Sequence, residues 1–425
     1  MDKKTMINCF YAADILLPDF DKTCGSKWAT IACDQFTSER EYWEAVEETV
    51  GGAPSTLSLM IPEVYLDQTE QRLPAIHNAM KRYEEKILVK HKDAMIYLER
   101  TQSDGRVRRG LIGAVDLEAY SFAKGSDTSI RATEGTVEER LPPRVAVRRD
   151  ATLELPHVML LIDDAERTVI EPLSEDTDKM HPAYDFDLML GGGHVKGYLI
   201  DEYNKKRILA ALSSLVDPEK IKEKYGSAEL APLLFAVGDG NHSLASAKVA
   251  YEEIKAKLGR ERAACHPARY ALCEVVNLHD QALEFEPIYR VAFGVNPDEL
   301  LCALEQYASA LNGKASPQCI KCIIGDKEVE IVINTPDQQL TVGTLQSFLD
   351  EYVAAHDDVE VDYIHGEDSL RALSGKEGAV GFFYDGMSKE ELFKTVIYDG
   401  ALPRKTFSMG HARDKRYYLE CRRIK

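Results

Sequence analysis

One stretch near the middle of the chain reads Leu233-Leu-Phe-Ala-Val-Gly-Asp-Gly-Asn-His-Ser-Leu-Ala-Ser-Ala-Lys248. Its apolar beginning predicts a short buried strand. The glycines that follow predict a turn, because glycine adopts backbone angles that other residues resist. Asn241 is a good helix N-cap, and apolar residues then recur at helical spacing as far as Leu258. The stretch therefore predicts a strand, a glycine turn and a helix that ends near Leu258.

The junction between this strand and this helix carries groups that suit phosphate chemistry. A helix N-terminus presents backbone N–H groups and a positive dipole end, and both attract anions. The same turn carries a carboxylate (Asp239), an imidazole (His242) and a hydroxyl (Ser243). The structural alternative is that Asp239 and Asn241 cap the helix while His242 packs beside it. The spacing alone does not decide between a binding site and a capped helix.

Composition limits the class of protein. With 425 residues, the chain is expected to form about two or three domains. A net charge of −19 argues against a nucleic-acid or acidic-membrane partner. One basic run lies at residues 404–423, and we interpret it as an edge strand with solvated charges. No stretch is apolar for long enough to span a bilayer, and the first residues do not resemble a signal peptide.

The nine cysteines are scattered without the spacing of a disulfide framework, which favours a reducing cytoplasm. We therefore expect a cytoplasmic protein. Strands and helices alternate along the whole chain without repeats, which predicts an α/β or mixed α+β fold with a central sheet flanked by helices. A weak boundary near Gly294 predicts a core over residues 1–290 and a C-terminal α/β portion over residues 291–425.

A second stretch, residues 129–150, is rich in arginine and in acids. Arginine presents a planar fork of donors that matches phosphate or carboxylate, so Arg131 and Arg144 are candidate phosphate ligands together with Thr136. The alternative is a helix in which the acids and arginines neutralise each other. His157, just before the apolar run at 158–162, is either a core histidine or a site residue.

Several stretches in their order along the chain resemble a bacterial and archaeal family catalogued as a domain of unknown function. Its hallmark is a central Asp-Gly-(His/Asn)-His box that opens a helix, here residues 239–242. The other matching stretches are Cys33 to Ser38 with Tyr42-Trp43, Arg131 to Thr136 with Pro142-Pro143-Arg144, Pro156-His157, Pro287 with Arg290, His365-Gly366, and Leu402 to Lys405.

The box is also similar to the nucleotide-binding box of the ParB/sulfiredoxin-like superfamily, which includes a free-serine kinase, CTP-binding partition proteins and ATP-using sulfiredoxin. This resemblance implies that the helix N-terminus holds nucleotide phosphates. The chain departs from the pattern at Ser243, where that superfamily usually has arginine. Arg131, Arg144 or Arg290 from another segment would then supply the missing charge.

These observations lead to a first hypothesis, a phosphotransferase that acts on a small hydroxylated metabolite with a nucleotide as donor. Asp239 would bind magnesium or orient the acceptor hydroxyl, and His242 would contact phosphate or exchange protons. The backbone N–H groups of Gly240, Asn241 and Ser243 would cradle phosphate. Glu134 is the candidate general base.

Two alternatives use the same groups. A phosphate-ester hydrolase would use water as the acceptor, and nothing in the sequence separates it from a kinase. A non-enzymatic protein would bind a nucleotide or phosphorylated metabolite and switch a partner interface. In each case the expected partners are small molecules, without nucleic acid or membrane, and the oligomeric state stays open.

Overall fold

The structure is a computed structural model that describes residues 9–136, 139 and 141–425. It confirms a mixed α+β fold with a large mixed sheet flanked by helices. The chain divides into two compact units. The first comprises the residues up to Leu283 together with His411–Lys425, and the second comprises Glu284–Gly410. Within the described ranges, no helix combines the length and the apolar character that crossing a membrane requires.

The strands in chain order are β1 (Phe10–Tyr11), β2 (Ala13–Pro18), β3 (Thr30–Ile31), β4 (Leu88–Ala94), β5 (Ile96–Thr101), β6 (Val107–Asp116), β7 (Tyr120–Ser121), β8 (Ile130–Ala132), β9 (Leu153–Glu154), β10 (Met159–Ile162), β11 (His181–Asp187), β12 (His194–Leu199), β13 (Phe235–Asp239), β14 (Tyr270–Asn277), β15 (Phe285–Phe293), β16 (Gln318–Ile324), β17 (Lys327–Ile333), β18 (Glu360–His365), β19 (Ala379–Phe383), β20 (Phe407–Met409), β21 (Tyr417–Tyr418) and β22 (Arg422–Arg423).

The α-helices in chain order are α1 (Gly25–Trp28), α2 (Arg40–Val50), α3 (Thr69–Lys86), α4 (Leu141–Asp150), α5 (Glu202–Leu215), α6 (Pro218–Tyr225), α7 (Asn241–Leu258), α8 (Arg260–Ala264), α9 (Pro297–Ala310), α10 (Thr341–Ala355), α11 (Glu367–Ser374) and α12 (Lys389–Tyr398).

The large sheet of the first unit has the strand order β11-β12-β5-β6-β14-β10-β13-β8-β7, and β1 pairs with β6. Strand β10 is buried along its whole length and lies between β13 and β14, as its unbroken apolar run predicts. Strand β13 runs antiparallel to β10 and parallel to β8. The ends of β13 and β8 therefore meet the beginning of β10 at one edge of the sheet.

The central stretch folds as its pattern predicts. Strand β13 is buried at Phe235, Ala236 and Val237, and helix α7 ends at Leu258. Leu244 and Tyr251 on α7 belong to the same buried cluster as Phe235 and Val237. Burial of this apolar face against the sheet fixes the helix N-terminus at the strand end.

The second unit is built around a six-stranded sheet with the order β17-β16-β19-β15-β18, in which β20 also pairs with β15. Its apolar interior includes Leu300, Leu345 and Phe382. Cys319 on β16 is exposed while Cys322 is buried. The two thiols therefore face different environments, as their spacing in a strand predicts.

The C-terminal segment differs from the division expected from sequence. That division groups residues 411–425 with the second portion and places the boundary after residue 290, whereas the two units part after Leu283. Strand β21 pairs with β3, and β22 pairs with β9, both in the first unit. The backbone hydrogen bonds of these two ladders attach the segment to the first unit.

The prediction that the basic run 404–423 is a solvated edge strand is wrong for its two most buried arginines. Arg416 and Arg422 are only 2% and 6% exposed. Arg416 Nη1 lies 3.0 Å from Oε2 of Glu274, and Arg422 Nε lies 2.6 Å from Oε1 of Glu154. Burial is possible here because each guanidinium is paired with a buried carboxylate.

Candidate functional site

His157 reaches the central turn through strand pairing. Strands β10 and β13 are antiparallel, with Met159 opposite Asp239, so the residues just before β10 lie beside the end of β13. A methyl group added at Gly240 would lie 3.1 Å from Cδ2 of His157. Gly240 also has a φ of 81°. Both the close approach and the left-handed backbone therefore require glycine at this turn.

Asp34 and Lys415 reach the same place from two distant segments. Strands β3 and β21 are antiparallel, Asp34 follows β3, and Lys415 precedes β21, so both lie at one end of this ladder. Lys415 Nζ lies 3.3 Å from Oδ2 of Asp239. Asp34 Oδ2 lies 3.6 Å from Nε2 of His157. Asp34, His157, Asp239 and Lys415 thus form one group, which we call the charged cluster.

Asp34 is ionised at neutral pH. Burial raises the pKa of its carboxyl, but His157 in its protonated form, a hydrogen bond from Gln35 and the charge of Lys415 outweigh that effect and hold the pKa below its ordinary value. The side chain keeps 27% of its surface exposed. The charged cluster therefore offers a solvent-accessible carboxylate beside an imidazole.

A chain of hydrogen bonds fixes the orientation of His157. Nε2 lies 2.9 Å from Oγ of Ser243, and Nδ1 lies 2.9 Å from the hydroxyl of Tyr418. Tyr418 donates to Sγ of Cys33 at 3.2 Å. The Tyr418 oxygen is then an acceptor for Nδ1–H, which assigns the lone pair of the ring to Nε2.

Burial also settles the ionisation of the other groups in this chain. It raises the pKa of the Cys33 thiol to about 12, with the charge of Asp34 adding to the effect. Burial likewise raises the pKa of Tyr418 well above its ordinary value. Both groups therefore keep their protons at neutral pH, and Cys33 is not a thiolate nucleophile.

The prediction that Asn241 caps helix α7 is wrong. Gly240 occupies the N-cap position, and no side chain caps the helix. The amide of Asn241 is used elsewhere: Thr133 N–H donates to its Oδ1 at 3.2 Å, and its Nδ2 donates to Oγ1 of Thr133 at 3.3 Å. These two bonds tie the end of β8 to the start of α7.

Two of the backbone N–H groups that were predicted to bind phosphate form hydrogen bonds within the turn. Gly240 N–H donates to Oδ1 of Asp239 at 2.9 Å, and Ser243 N–H donates to the carbonyl of Gly240 at 3.0 Å. His242 is the second residue of α7 and is half-buried, and its carbonyl accepts from Oγ of Ser246 at 2.7 Å. The N–H groups of Gly240 and Ser243 therefore stabilise the turn.

Both carboxylate oxygens of Asp239, the predicted magnesium ligand, have contacts within the protein. One of its oxygens accepts from Gly240 and the other faces Lys415. Across residues 9–136, 139 and 141–425, no three His, Cys, Asp or Glu side chains are grouped so that they could hold a metal ion. We therefore assign no step to a metal held by Asp239.

Glu134 follows β8 at the same edge of the sheet as Asp239, since β8 and β13 are parallel with Ala132 opposite Val237. Its side chain is exposed. Thr136 is half-buried, and its Oγ1 has no hydrogen-bond partner in the part of the chain that the structure describes. The sheet thus brings the Glu134 segment to the box, as the hypothesis of a shared site requires.

The predicted arginine ligands lie in three different environments. Arg131 is buried and donates to the carbonyls of Thr128 and Ala231, away from the end of β13. Arg144 on α4 pairs with Glu63. Arg131 therefore supports the backbone before β8 and β13. Its predicted role was that of a phosphate ligand.

Arg290 belongs to the core of the second unit and is fully buried. Its guanidinium donates to Oε1 of Gln346 at 3.1 Å and to the hydroxyl of Tyr384 at 2.8 Å. It also donates to the carbonyls of Arg404 and Lys405. The N–H groups of the guanidinium are therefore used for hydrogen bonds within the second unit. The sequence predicts instead that Arg290 binds phosphate.

The sequence alone does not mark Asp34 or Lys415 as site residues, and it leaves the role of His157 open. Asp34 lies in the family-like stretch that begins at Cys33, which was the one signal that marked it. Lys415 lies in the basic run, where nothing distinguishes it from its neighbours. Only the pairing of β21 with β3 brings these residues to the box.

A family model described as "Protein of unknown function (DUF1015)" matches residues 18–352. No curated protein sequence matches the chain. Among solved structures, the chain is similar to a conserved hypothetical protein from Pyrococcus furiosus, with 12% identity over 73% of this chain and 94% of that chain and a TM-score of 0.33.

Two further solved structures are similar at the same level. A free serine kinase in complex with AMP has 12% identity over 72% of this chain and 90% of that chain, with a TM-score of 0.35. SbnI with a C-terminal truncation, from Staphylococcus aureus, has 12% identity over 70% of this chain and 82% of that chain, with a TM-score of 0.32. These likenesses are distant, so the function of this chain is inferred from its own residues.

Proposed function

Because the chain belongs to the DUF1015 family of proteins of unknown function, we infer its activity from its own site and propose a phosphotransferase that uses a nucleotide donor and a small hydroxylated acceptor. The observation that carries the proposal is the charged cluster at the N-terminus of α7. A helix N-terminus attracts phosphate, and Lys415 adds a full positive charge beside it.

The donor side of the proposal uses the box. The box is similar to that of the ParB/sulfiredoxin-like superfamily except that Ser243 stands where arginine is usual. Lys415, held 3.3 Å from Asp239, is a cation at the same turn and replaces the missing guanidinium. In this proposal Lys415 and His242 contact the donor phosphates, and Asp239 positions the lysine.

The acceptor side uses His157 and Asp34. The acceptor oxygen bonds to phosphorus while its proton passes to Nε2 of His157. The bond from phosphorus to the bridging oxygen breaks, and the electron pair stays on the departing nucleoside diphosphate. The carboxylate of Asp34 stabilises the imidazolium that forms. Positioning and electrostatics supply most of the catalysis in such transfers.

Glu134 is the competing base. It is exposed and comes to the same sheet edge, whereas His157 is 7% exposed and lies 3.6 Å from an ionised carboxylate. Nε2 of His157 carries its lone pair at the turn, against Gly240 and 2.9 Å from Oγ of Ser243, where it can reach an acceptor hydroxyl. The geometry therefore favours His157, with Asp34 as its electrostatic partner.

A thermal-shift screen tests the proposal. Purified protein is heated with ATP, ADP, CTP, GTP or inorganic phosphate, each with and without magnesium. A ligand that binds the native state alone adds about 2.7 kcal/mol of stability at a hundredfold excess over its Kd, so it raises the melting temperature. We expect one nucleotide to do so, and the effect to be lost in His242→Ala but kept in His181→Ala, which changes an exposed histidine.

Assays of nucleotide consumption with the ligands that bind separate the alternatives. Nucleotide consumption that depends on an added acceptor supports the phosphotransferase. Consumption with water alone contradicts transfer and supports a hydrolase. A nucleotide that binds without turnover across a broad metabolite panel supports a non-enzymatic sensor. A folded sample that responds to none of the nucleotides contradicts the donor assignment.

A further inference from the structure

A cavity of about 160 Å³ lies beside His157 within the first unit. One end is polar and is lined by His157, Ser243, Tyr418 and Cys33, the members of the hydrogen-bonded chain. The walls are mostly apolar and include Leu59, Met60, Ile61, Met80 and Leu155. A small cavity with apolar walls and a few convergent polar groups is the usual form of a small-molecule site.

The volume of the cavity limits the size of its ligand. An apolar cavity of about 150 Å³ in another protein holds one benzene molecule. The part of a ligand that this cavity encloses is therefore about the size of benzene by the same comparison. A whole nucleotide is several times larger, so the cavity does not enclose one.

The charges in the cavity wall are already neutralised. Arg144 pairs with Glu63, and Arg148 pairs with Glu154. Among the lining side chains these two arginines balance these two glutamates, and Arg422, which does not line the cavity, also pairs with Glu154. An apolar wall penalises an ion that brings no partner. The ligand that fits is therefore uncharged.

The polar end selects a hydrogen-bond donor. The Tyr418 hydroxyl points to Cys33 and leaves Nε2 of His157 with the lone pair of the ring. Nε2 has one lone pair, which accepts from Oγ of Ser243, so a ligand hydroxyl donates to it in place of that contact. An alcohol provides the donor that this end requires, whereas an ether or a ketone does not.

We propose that this cavity binds the acceptor of the phosphotransfer, and that the acceptor is a small uncharged alcohol with an apolar body. The assignment of the ligand as acceptor rests on the proposed function. His157 links the two places, because it lines the cavity while Cδ2 and Nε2 of its ring lie against Gly240. A hydroxyl held at Nε2 faces the turn where the donor phosphate binds, and its proton leaves along the route already described.

The test begins with binding in the absence of nucleotide. Benzyl alcohol is titrated into the full chain and followed by ligand-observed NMR, with benzoate and benzylamine as charged controls of the same shape. We expect benzyl alcohol to bind and both charged analogues to bind at least tenfold more weakly. Equal or tighter binding of benzoate overturns the assignment of an uncharged ligand.

Cavity-filling variants locate the site. Ala151→Leu places a larger side chain in the wall and is expected to weaken benzyl alcohol binding at least tenfold, while the nucleotide Kd stays unchanged. Val147→Phe serves the same purpose if Ala151→Leu does not fold. Ala256→Leu, the same change on the exposed face of α7, is the matched control. Wild-type alcohol binding in a folded, filled variant overturns the cavity as the site.

The outcomes separate this inference from the proposed function. If alcohols bind in the cavity but no nucleotide binds, the cavity site stands and the phosphotransferase fails. If acceptor-dependent nucleotide consumption persists unchanged in Ala151→Leu, the phosphotransferase stands and the cavity is not its acceptor site. His157→Gln is expected to abolish transfer and to remove the preference for benzyl alcohol over toluene.

Discussion

Lys415 Nζ lies 3.3 Å from Oδ2 of Asp239, although the two residues are far apart in the sequence. The contact exists because β21 pairs with β3 and carries the C-terminal segment back to the first unit. It places a cation at a turn whose own residues supply none. The C-terminal segment therefore completes the candidate phosphate site.

Replacement of this lysine tests its role. Lys415→Met is expected to raise the nucleotide Kd by roughly tenfold to a hundredfold, because a hydrogen bond to a charged group contributes about 1.5–3 kcal/mol. Isothermal titration calorimetry measures the change. Lys257→Met, which removes an exposed lysine near the end of α7, is the control and should bind as the wild type does. An unchanged Kd in folded Lys415→Met excludes the lysine from the site.

Variants of two carboxylates test whether His157, with Asp34 as its partner, or Glu134 is the general base. Asp34→Asn removes the charge beside His157 and is expected to lower kcat by about 10²–10⁴-fold, the usual range for acid–base catalysis, without changing the nucleotide Kd. Glu134→Gln is expected to keep most of the wild-type kcat. Single-turnover phosphotransfer measures both. The opposite order of effects would transfer the role of base to Glu134.

The buried ion pairs of the first unit carry a prediction about stability. Burial raises the pKa of Glu154, but the charges of Arg422 and Arg148 outweigh it and hold the pKa below its ordinary value. Arg422→Met leaves this carboxylate short of a partner, which costs about 3–5 kcal/mol for a buried pair. Urea denaturation measures the loss.

An exposed ion pair provides the control for that measurement. Glu367 and Arg371 are paired on the surface of the second unit, each with nearly half of its side chain exposed. Glu367→Gln is expected to cost less than about 1 kcal/mol. A loss of similar size in both variants would contradict the view that the buried pairs of the first unit are structurally essential.

The lowered pKa of Asp163 predicts how the stability of the fold changes at acidic pH. Burial raises its pKa, but hydrogen bonds from His279 and Tyr225 and the charge of Lys224 outweigh that effect, and the pKa falls to about 2. The ordinary value is about 3.9, so ionised Asp163 stabilises the fold above pH 4, and this contribution is lost as the pH falls toward 2.

The corresponding experiment compares the wild type with Asp163→Asn in urea at several pH values. A shift of about two pKa units corresponds to about 2.6 kcal/mol, so the wild type should lose on the order of 2 kcal/mol between pH 4 and pH 2 through this group. The variant should start less stable and show a shallower loss. Parallel pH curves for the two proteins would contradict the low pKa.

The local pattern of the sequence predicts the central strand, turn and helix, and the helix ends at Leu258 as expected. Such a segment is predictable because the apolar period and the glycines act on neighbouring residues. The N-cap was not predictable, since Asn241 bonds to Thr133, which follows the distant strand β8. That contact depends on the parallel pairing of β8 with β13.

The charged cluster was only partly predictable for the same reason. Asp239 is marked by its turn, whereas Asp34 and Lys415 reach it through a ladder between the two ends of the first unit. Arg131 and Arg290 were predicted to bind phosphate, but they donate to backbone carbonyls. A guanidinium that matches phosphate also matches backbone carbonyls, and the sequence does not distinguish these partners.

A crystal structure with the nucleotide selected by the thermal-shift screen tests the central claim most directly. The account predicts donor phosphate at the first turn of α7, with a phosphoryl oxygen about 2.7–3.2 Å from Nζ of Lys415. It also predicts that His157 lies beside both this phosphate and the cavity of about 160 Å³. A nucleotide bound elsewhere, with no phosphate at the start of α7, would contradict the account.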